Sequence, residues 1–268
     1  MVKTTFRKNA SLACCLACLV STRVSAELKY TLRTEVLKTE APSTPPPNPM
    51  VAMMGDAMTR QLLPEGSATM IYFLGEKGTR VELANAAMGQ PAGTVTLVRP
   101  DGTIMMLNPT EKTYWKAGTE GPAAAMKAAG LTPQVAVTPT GETETVAGVS
   151  CQKSTFTMKM DLPIPEAARA SLGPDFPASI DFTGDTCATT TDFQKYSEIA
   201  SRNQVTGMLA AMGLDKLTSG GIVLRQTIRL GAVELRSVVT EIAEEDVAPA
   251  AFEIPEGYKE VQPPTAPR

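Results

Sequence analysis

The strongest constraint on this chain is a series of strand–turn–strand units whose apolar residues recur every second position. "SATMIYFLGEKGTRVEL" predicts a strand to Leu74, a turn from Gly75 to Gly78, and a second strand through Leu83. "GTVTLVRPDGTIMMLNP" repeats the unit, with strands over 94–99 and 103–107 around Pro100-Asp101-Gly102. Proline presets φ and glycine accepts positive φ, so turn chemistry and alternation agree. Asn108-Pro109 opens another turn, and "TYWKA" begins the next strand. In "GIVLRQTIRLG", Ile222, Leu224, Ile228 and Leu230 alternate with Arg225, Thr227 and Arg229, and "AVELRSVVTEI" follows suit. A chain built this way pairs neighbouring strands antiparallel.

The remaining segments fit around that sheet. Leu28, Tyr30 and Leu32 alternate at the start of a strand over 28–40. The proline-rich stretch 41–49 excludes helix and ladder and reads as a linker. Val51, Met54, Met58 and Leu62 then form one stripe of a short amphipathic helix, stopped by Pro64. Short helices are expected over 123–130 and 166–172, and a longer one from Phe193 to about Met212, capped by Asp192. "TGETETVAGVSCQKSTFTMKM" gives two strands hinged at Gly148, and 179–182 and 186–191 give two short ones. The count, roughly ten strands with two or three helices, is an α+β class that is mostly β: a large, curved antiparallel sheet with helices packed on one face.

Lys3, Arg7 and Lys8, an apolar run from Ala10 to Val20, and Val24-Ser25-Ala26 predict an export signal cleaved after Ala26. The run is too short to span a bilayer. Leu12-Ala13-Cys14-Cys15 faintly resembles a lipoprotein box, the less favoured variant. The expected layout is a signal over 1–26, one domain over 27–261 with its proline-rich insertion at 41–49, and a disordered tail over 262–268. The product is expected to be periplasmic or secreted. Losing the signal's four basic residues makes the net charge of −3 more negative, which disfavours nucleic acid as a partner. Cys151 and Cys187 are the only cysteines after the signal, and an oxidising compartment predicts that they pair.

The chemistry of catalysis is thinly represented. The chain has no histidine, which removes the usual general base and the imidazole ligand. Neither a nucleophile elbow nor a phosphate-binding glycine loop occurs. Glu142, Glu144, Glu244, Glu245 and Asp246 sit in polar runs that read as solvated surface. No enzyme activity and no cofactor are expected. Methionine is abundant, with 14 in the chain. Met54 and Met58, four apart on one helical face, allow a copper(I) reading. Met105 and Met106, adjacent on a strand, point to opposite faces and exclude a shared ion.

Three stretches, "SATMIYFLGEKGTRVEL…TIMMLNPTEKTYW", "TGETETVAGVSCQK" and "FEIPEGYKEV", together resemble a family of exported bacterial proteins of unknown function. That family is grouped with the lipoprotein carriers of the bacterial envelope (LolA/LolB-like). The resemblance covers most of 67–155 and 220–261. It implies a half-barrel whose concave face is covered by helices, and no activity. On that frame, methionine-rich apolar surface suits an adaptable site for a lipid or acyl chain, or for a lipidated partner. The lining residues expected are Met54, Met58, Leu62, Ile71, Phe73, Leu97, Ile104, Met106, Tyr114, Leu224 and Ile228. The alternatives are a closed core serving an envelope protein partner, and copper(I) held by methionine.

Overall fold

The structure is a computed structural model that describes residues 26–38, 57, 59–60, 62–117, 130, 133–162, 177–202, 221–230 and 233–263. Twelve strands form one open, curved sheet: β1 (Ala26–Lys38), β2 (Ser67–Gly75), β3 (Gly78–Leu83), β4 (Val95–Val98), β5 (Ile104–Asn108), β6 (Thr113–Ala117), β7 (Pro133–Val146), β8 (Val149–Asp161), β9 (Ser179–Ala188), β10 (Val223–Leu230), β11 (Val233–Asp246) and β12 (Lys259–Glu260). Their spatial order is β12-β6-β5-β4-β3-β2-β1-β11-β10-β9-β8-β7. Two meanders therefore meet where β1 pairs with β11, and every pairing is antiparallel except the short β12–β6 contact.

The turns form for the reasons read in the sequence. Asp101 Oδ1 accepts the Thr103 N–H at 2.8 Å, and the Gly102 N–H reaches the Arg99 carbonyl at 2.9 Å. Asn108 Oδ1 accepts from the N–H groups of Thr110 and Glu111 at 3.1 and 3.2 Å. Between β7 and β8, Ala147 and Gly148 both take positive φ, the two-residue turn that matches strand twist. β7 is an edge strand, which is why Pro133 and Pro139 fit there: an edge leaves some N–H groups unused.

Two expectations change. Residues 179–191 were expected as two strands, but β9 runs unbroken through Gly184. A side chain at Gly184 would overlap the Thr227 carbonyl and the Phe156 ring, so glycine admits the aromatic ring there rather than breaking the strand. The second concerns helices. Two or three were expected on the concave face; the described residues hold one continuous α-helix, α1 (Gln194–Arg202), helical residues Ala57, Thr59, Arg60 and Leu62 in the stretch expected as a helix before Pro64, where the Leu63 N–H donates to the Thr59 carbonyl at 2.8 Å, and a 3-10 turn over Pro249–Phe252. Phe193 has φ of 63°, so α1 starts one residue later than expected. The expected helices over 123–130 and 166–172, and the end of the one running to Met212, lie outside the described residues apart from Gly130.

Register separates the two faces of the sheet. The face that carries Leu28, Leu74, Leu224 and Val239, against which Tyr196 and Ile199 of α1 pack, we call the inner face. The pair Cys151–Cys187, whose Cα atoms are 5.3 Å apart, joins the same buried cluster from the other face, where Glu144 and Arg225 are its register partners. On the outer face, Arg225 bridges Glu144 (2.9 Å) and Asp185 (3.3 Å), while Arg229 bridges Asp185 (3.2 Å) and Glu234 (2.8 Å). The ladder thus ties β7, β9, β10 and β11 together.

Candidate functional site

Cross-strand pairing generates one continuous row on the inner face. Ile242 pairs with Tyr30, Tyr30 with Tyr72, Tyr72 with Val81, Val81 with Thr96, Thr96 with Met106, and Met106 with Trp115. All seven are half-buried, neither sealed into the core nor open to water. Seven strands spaced ~4.8 Å apart give a row roughly 29 Å long. The next row is buried at its centre, at Leu28, Leu74, Thr79 and Val98, while Ile104 and Ala117 at one end are half-buried and Glu244 at the other is exposed. Met70, which pairs with Leu32, and Ile104, which pairs with Val98, flank the row on the same face.

Two tyrosines give this row its chemistry. The rings of Tyr30 and Tyr72 stack at 4.6 Å between centroids and 5° between planes. The Tyr72 hydroxyl donates to the Met70 sulfur at 3.6 Å, a soft and weak acceptor. Burial pushes the Tyr72 hydroxyl up to about 12 and Tyr30 well above its ordinary value, the neighbouring Tyr72 adding to the latter. Both therefore stay neutral across physiological pH, and the row is apolar with phenolic O–H groups as its polar handles.

The residues expected to line a site divide by face. Ile104 and Met106 lie on the row or beside it. Leu62 packs half-buried on the inner face with Leu63, Ala68, Met70 and Leu83. Ile228 is on the inner face too, with Val135, Val137, Phe156, Met158 and Phe182. Leu224 is fully buried beneath α1 and offers no surface. Ile71 and Phe73 face outward, and the Lys29 ammonium lies 5.8 Å from the Phe73 ring. Leu97 and Tyr114 also face outward, packed with Met105 and Leu107 against Ile254 and Tyr258 of the C-terminal segment. That segment is anchored by the Arg80 guanidinium donating to the Ala251 carbonyl at 2.9 Å, and by Tyr114 donating to Glu260 at 2.9 Å. Met54 and Met58 lie outside the described residues, and so does the copper(I) pair they would form. Among the described residues no three Asp, Glu or Cys side chains are grouped to hold a metal ion.

Sequence reasoning missed Tyr30, Met70, Tyr72, Val81, Thr96, Trp115 and Ile242. The signal was available for Tyr30, which alternates with Leu28 and Leu32. For β2 it was not, because Met70, Ile71, Tyr72 and Phe73 are all apolar and carry no parity of their own. Open depressions elsewhere have mixed linings. One of ≈ 500 Å³ on β7–β9 is lined by apolar Val135, Met158 and Phe182 as well as by Gln134, Lys159 and Asp181, and a neighbour of ≈ 280 Å³ by Phe156 as well as by Thr138, Thr155 and Arg229. By register Val135, Met158 and Phe182 stand on one side of the sheet and Gln134, Lys159 and Asp181 on the other.

The chain is similar to known proteins in two ways. A family described as a domain of unknown function (DUF4412) matches residues 55–164, which span β2 to β8. The resemblance seen in "SATMIYFLGEKGTRVEL…TIMMLNPTEKTYW" falls within that match, while the one seen over 220–261 lies beyond it. Among solved structures, LprF from Mycobacterium bovis is similar at 10% identity, covering 82% of this chain and 89% of that one, with a TM-score of 0.32. No curated protein matches the sequence.

Proposed function

We propose that the protein is exported and binds an apolar ligand, a lipid or the acyl chain of a lipidated partner, along the inner face without catalysis. The observation that carries this reading is the half-buried row from Tyr30 to Trp115. A sheet that needed only a core would seal Tyr30, Tyr72, Val81 and Thr96 as it seals Leu28, Leu74, Thr79 and Val98 beside them. Here Tyr72, Val81, Met106 and Trp115 offer width, adaptable thioether contact and an indole edge in one line. The export signal supplies the setting in which such a ligand is met.

The test is organic extraction and mass spectrometry of the protein purified from its native host. Recovery of a stoichiometric acyl lipid, lost in Met106→Asp but kept in Lys112→Asp on an exposed turn, is the expected result. Absence of lipid, together with a single protein recovered in stoichiometric amount in pull-downs, would replace this reading with that of an interaction module.

A further inference from the structure

Tyr30 and Tyr72 present hydrogen-bond donors that the protein itself barely uses. Among the described residues the Tyr30 hydroxyl has no hydrogen-bond partner, and the Tyr72 hydroxyl has only the Met70 sulfur at 3.6 Å. Thioether sulfur is a weak acceptor. The rings lie parallel with centroids 4.6 Å apart, and the two phenols are close enough for one to act electrostatically on the other. Neither donates to its neighbour. Phenylalanine would supply the same stacking and apolar area, so packing alone requires neither O–H. An unmet donor in apolar surroundings costs free energy. What the pair lacks is an acceptor.

The surroundings narrow the kind of acceptor. By register Leu28, Leu32, Met70, Leu74, Val81 and Ile242 surround the pair on the inner face, and none of them is charged. Glu244, the partner of Leu28, is the first charge met along that face, and Lys195 already holds it at 3.4 Å. A carboxylate or phosphate brought to the tyrosines would meet no cation on this surface among the described residues and would face an anion, so an ionised headgroup is disfavoured. A carbonyl oxygen is uncharged and has two lone pairs, enough for both O–H groups. The row also has a direction. Past Ile242 it stops, because the β10 pairing on β11 ends at Val238. The other way it continues through Val81, Thr96 and Met106 to Trp115. Four strand spacings of ~4.8 Å put Trp115 about 19 Å from Tyr72. We infer that Tyr30 and Tyr72 fix an acyl ester by its carbonyl, both phenols donating to that one oxygen, with the hydrocarbon chain laid along the row toward Trp115. This rests on the reading of the row as an acyl site and adds its polar anchor, its preference for ester over acid, and the orientation of the chain. Burial holds both phenols protonated, Tyr72 up to about 12, so the anchor persists across physiological pH.

Trp115 is the chain's only tryptophan and reports on its own end of the row. Methyl palmitate, palmitate and hexadecane are titrated separately against the purified, delipidated protein in detergent-free buffer, with Trp115 fluorescence as the readout. The ester should bind about tenfold more tightly than the alkane, the net gain of two hydrogen bonds, and more tightly than palmitate. Tyr30→Phe and Tyr72→Phe keep the ring stack; each should lower the ester-to-alkane affinity ratio about threefold, and the double variant should bring it near unity. Methyl palmitate brominated at the chain terminus should quench Trp115, and the same ester brominated beside the carbonyl should leave it bright. A ratio near unity in the parent, a ratio indifferent to both substitutions, tighter binding of palmitate than of its ester, or equal or stronger quenching from the carbonyl side overturns the inference while apolar binding stands. If none of the three probes binds, the acyl-site reading itself fails and the anchor falls with it.

Discussion

Glu27→Gln, made in a chain that retains residues before Glu27, should stabilise the fold at high pH and do nothing at low pH. The folded carboxyl titrates at about 7, against an ordinary 4.5, and burial is the leading cause. The protonated form is thus favoured by the fold. Stability from this group is fully present below pH ~4.5 and is lost as pH rises through about 7. A difference of that size corresponds to about 3.4 kcal/mol at ~1.36 kcal/mol per pH unit, and solvent screening at the end of the sheet trims it to about 2 kcal/mol. Glutamine keeps the shape, carries no charge, and removes the penalty. Urea denaturation at pH 4 and pH 8.5 reads both limits. The variant should be about 2 kcal/mol more stable than the parent at pH 8.5 and equal to it at pH 4, which is roughly 4–8 °C in Tm for a domain this long. A variant that gains nothing at pH 8.5, or gains equally at both pH values, would refute the argument.

Other outcomes follow from packing and covalent structure. Replacing Cys151 and Cys187 together by serine should cost about 3–4 kcal/mol, the chain-entropy value for a loop of this length, with reduction of the parent giving a similar loss in chemical denaturation. Gly184→Ala should destabilise by about 2–3 kcal/mol, because the methyl overlaps the Thr227 carbonyl and the Phe156 ring and β9 must move. Met105 and Met106 should separate by role. Met105→Ala, at a site 2% exposed, should lower stability by about 2–4 kcal/mol, whereas half-buried Met106→Ala should cost clearly less in denaturation and act on acyl-probe binding instead.

What the sequence made legible was whatever the chain enforces locally. Pro100-Asp101-Gly102, Asn108-Pro109 and Gly148 fixed where strands end, because each turn needs its own residues. The pairing of Cys151 with Cys187 followed from their number and from the compartment expected of the chain. Faces were another matter. The strands that carry the row were found, yet Ile71, Phe73, Leu97 and Tyr114 point away from it. Two physical causes account for it. In "MIYF" every position is apolar, so period two loses its contrast, and the face is set by β1: Tyr30 fixes Tyr72 inward through register. Around Leu97 and Tyr114 both faces are covered, the outer one by Ile254 and Tyr258, more than a hundred residues downstream. A cover so distant in sequence makes an outer residue look like core, because alternation reports burial and not which body does the burying. "FEIPEGYKEV" was read as the end of the fold; its Phe252, Ile254 and Tyr258 are a second cover. The inner face, freed from supplying the core at β4–β6, is then left with Thr96, Met106 and Trp115 half-buried. The apolar row is in this sense a consequence of the C-terminal segment: because Met105 and Leu107 are sealed on the outside, Met106 is available on the inside.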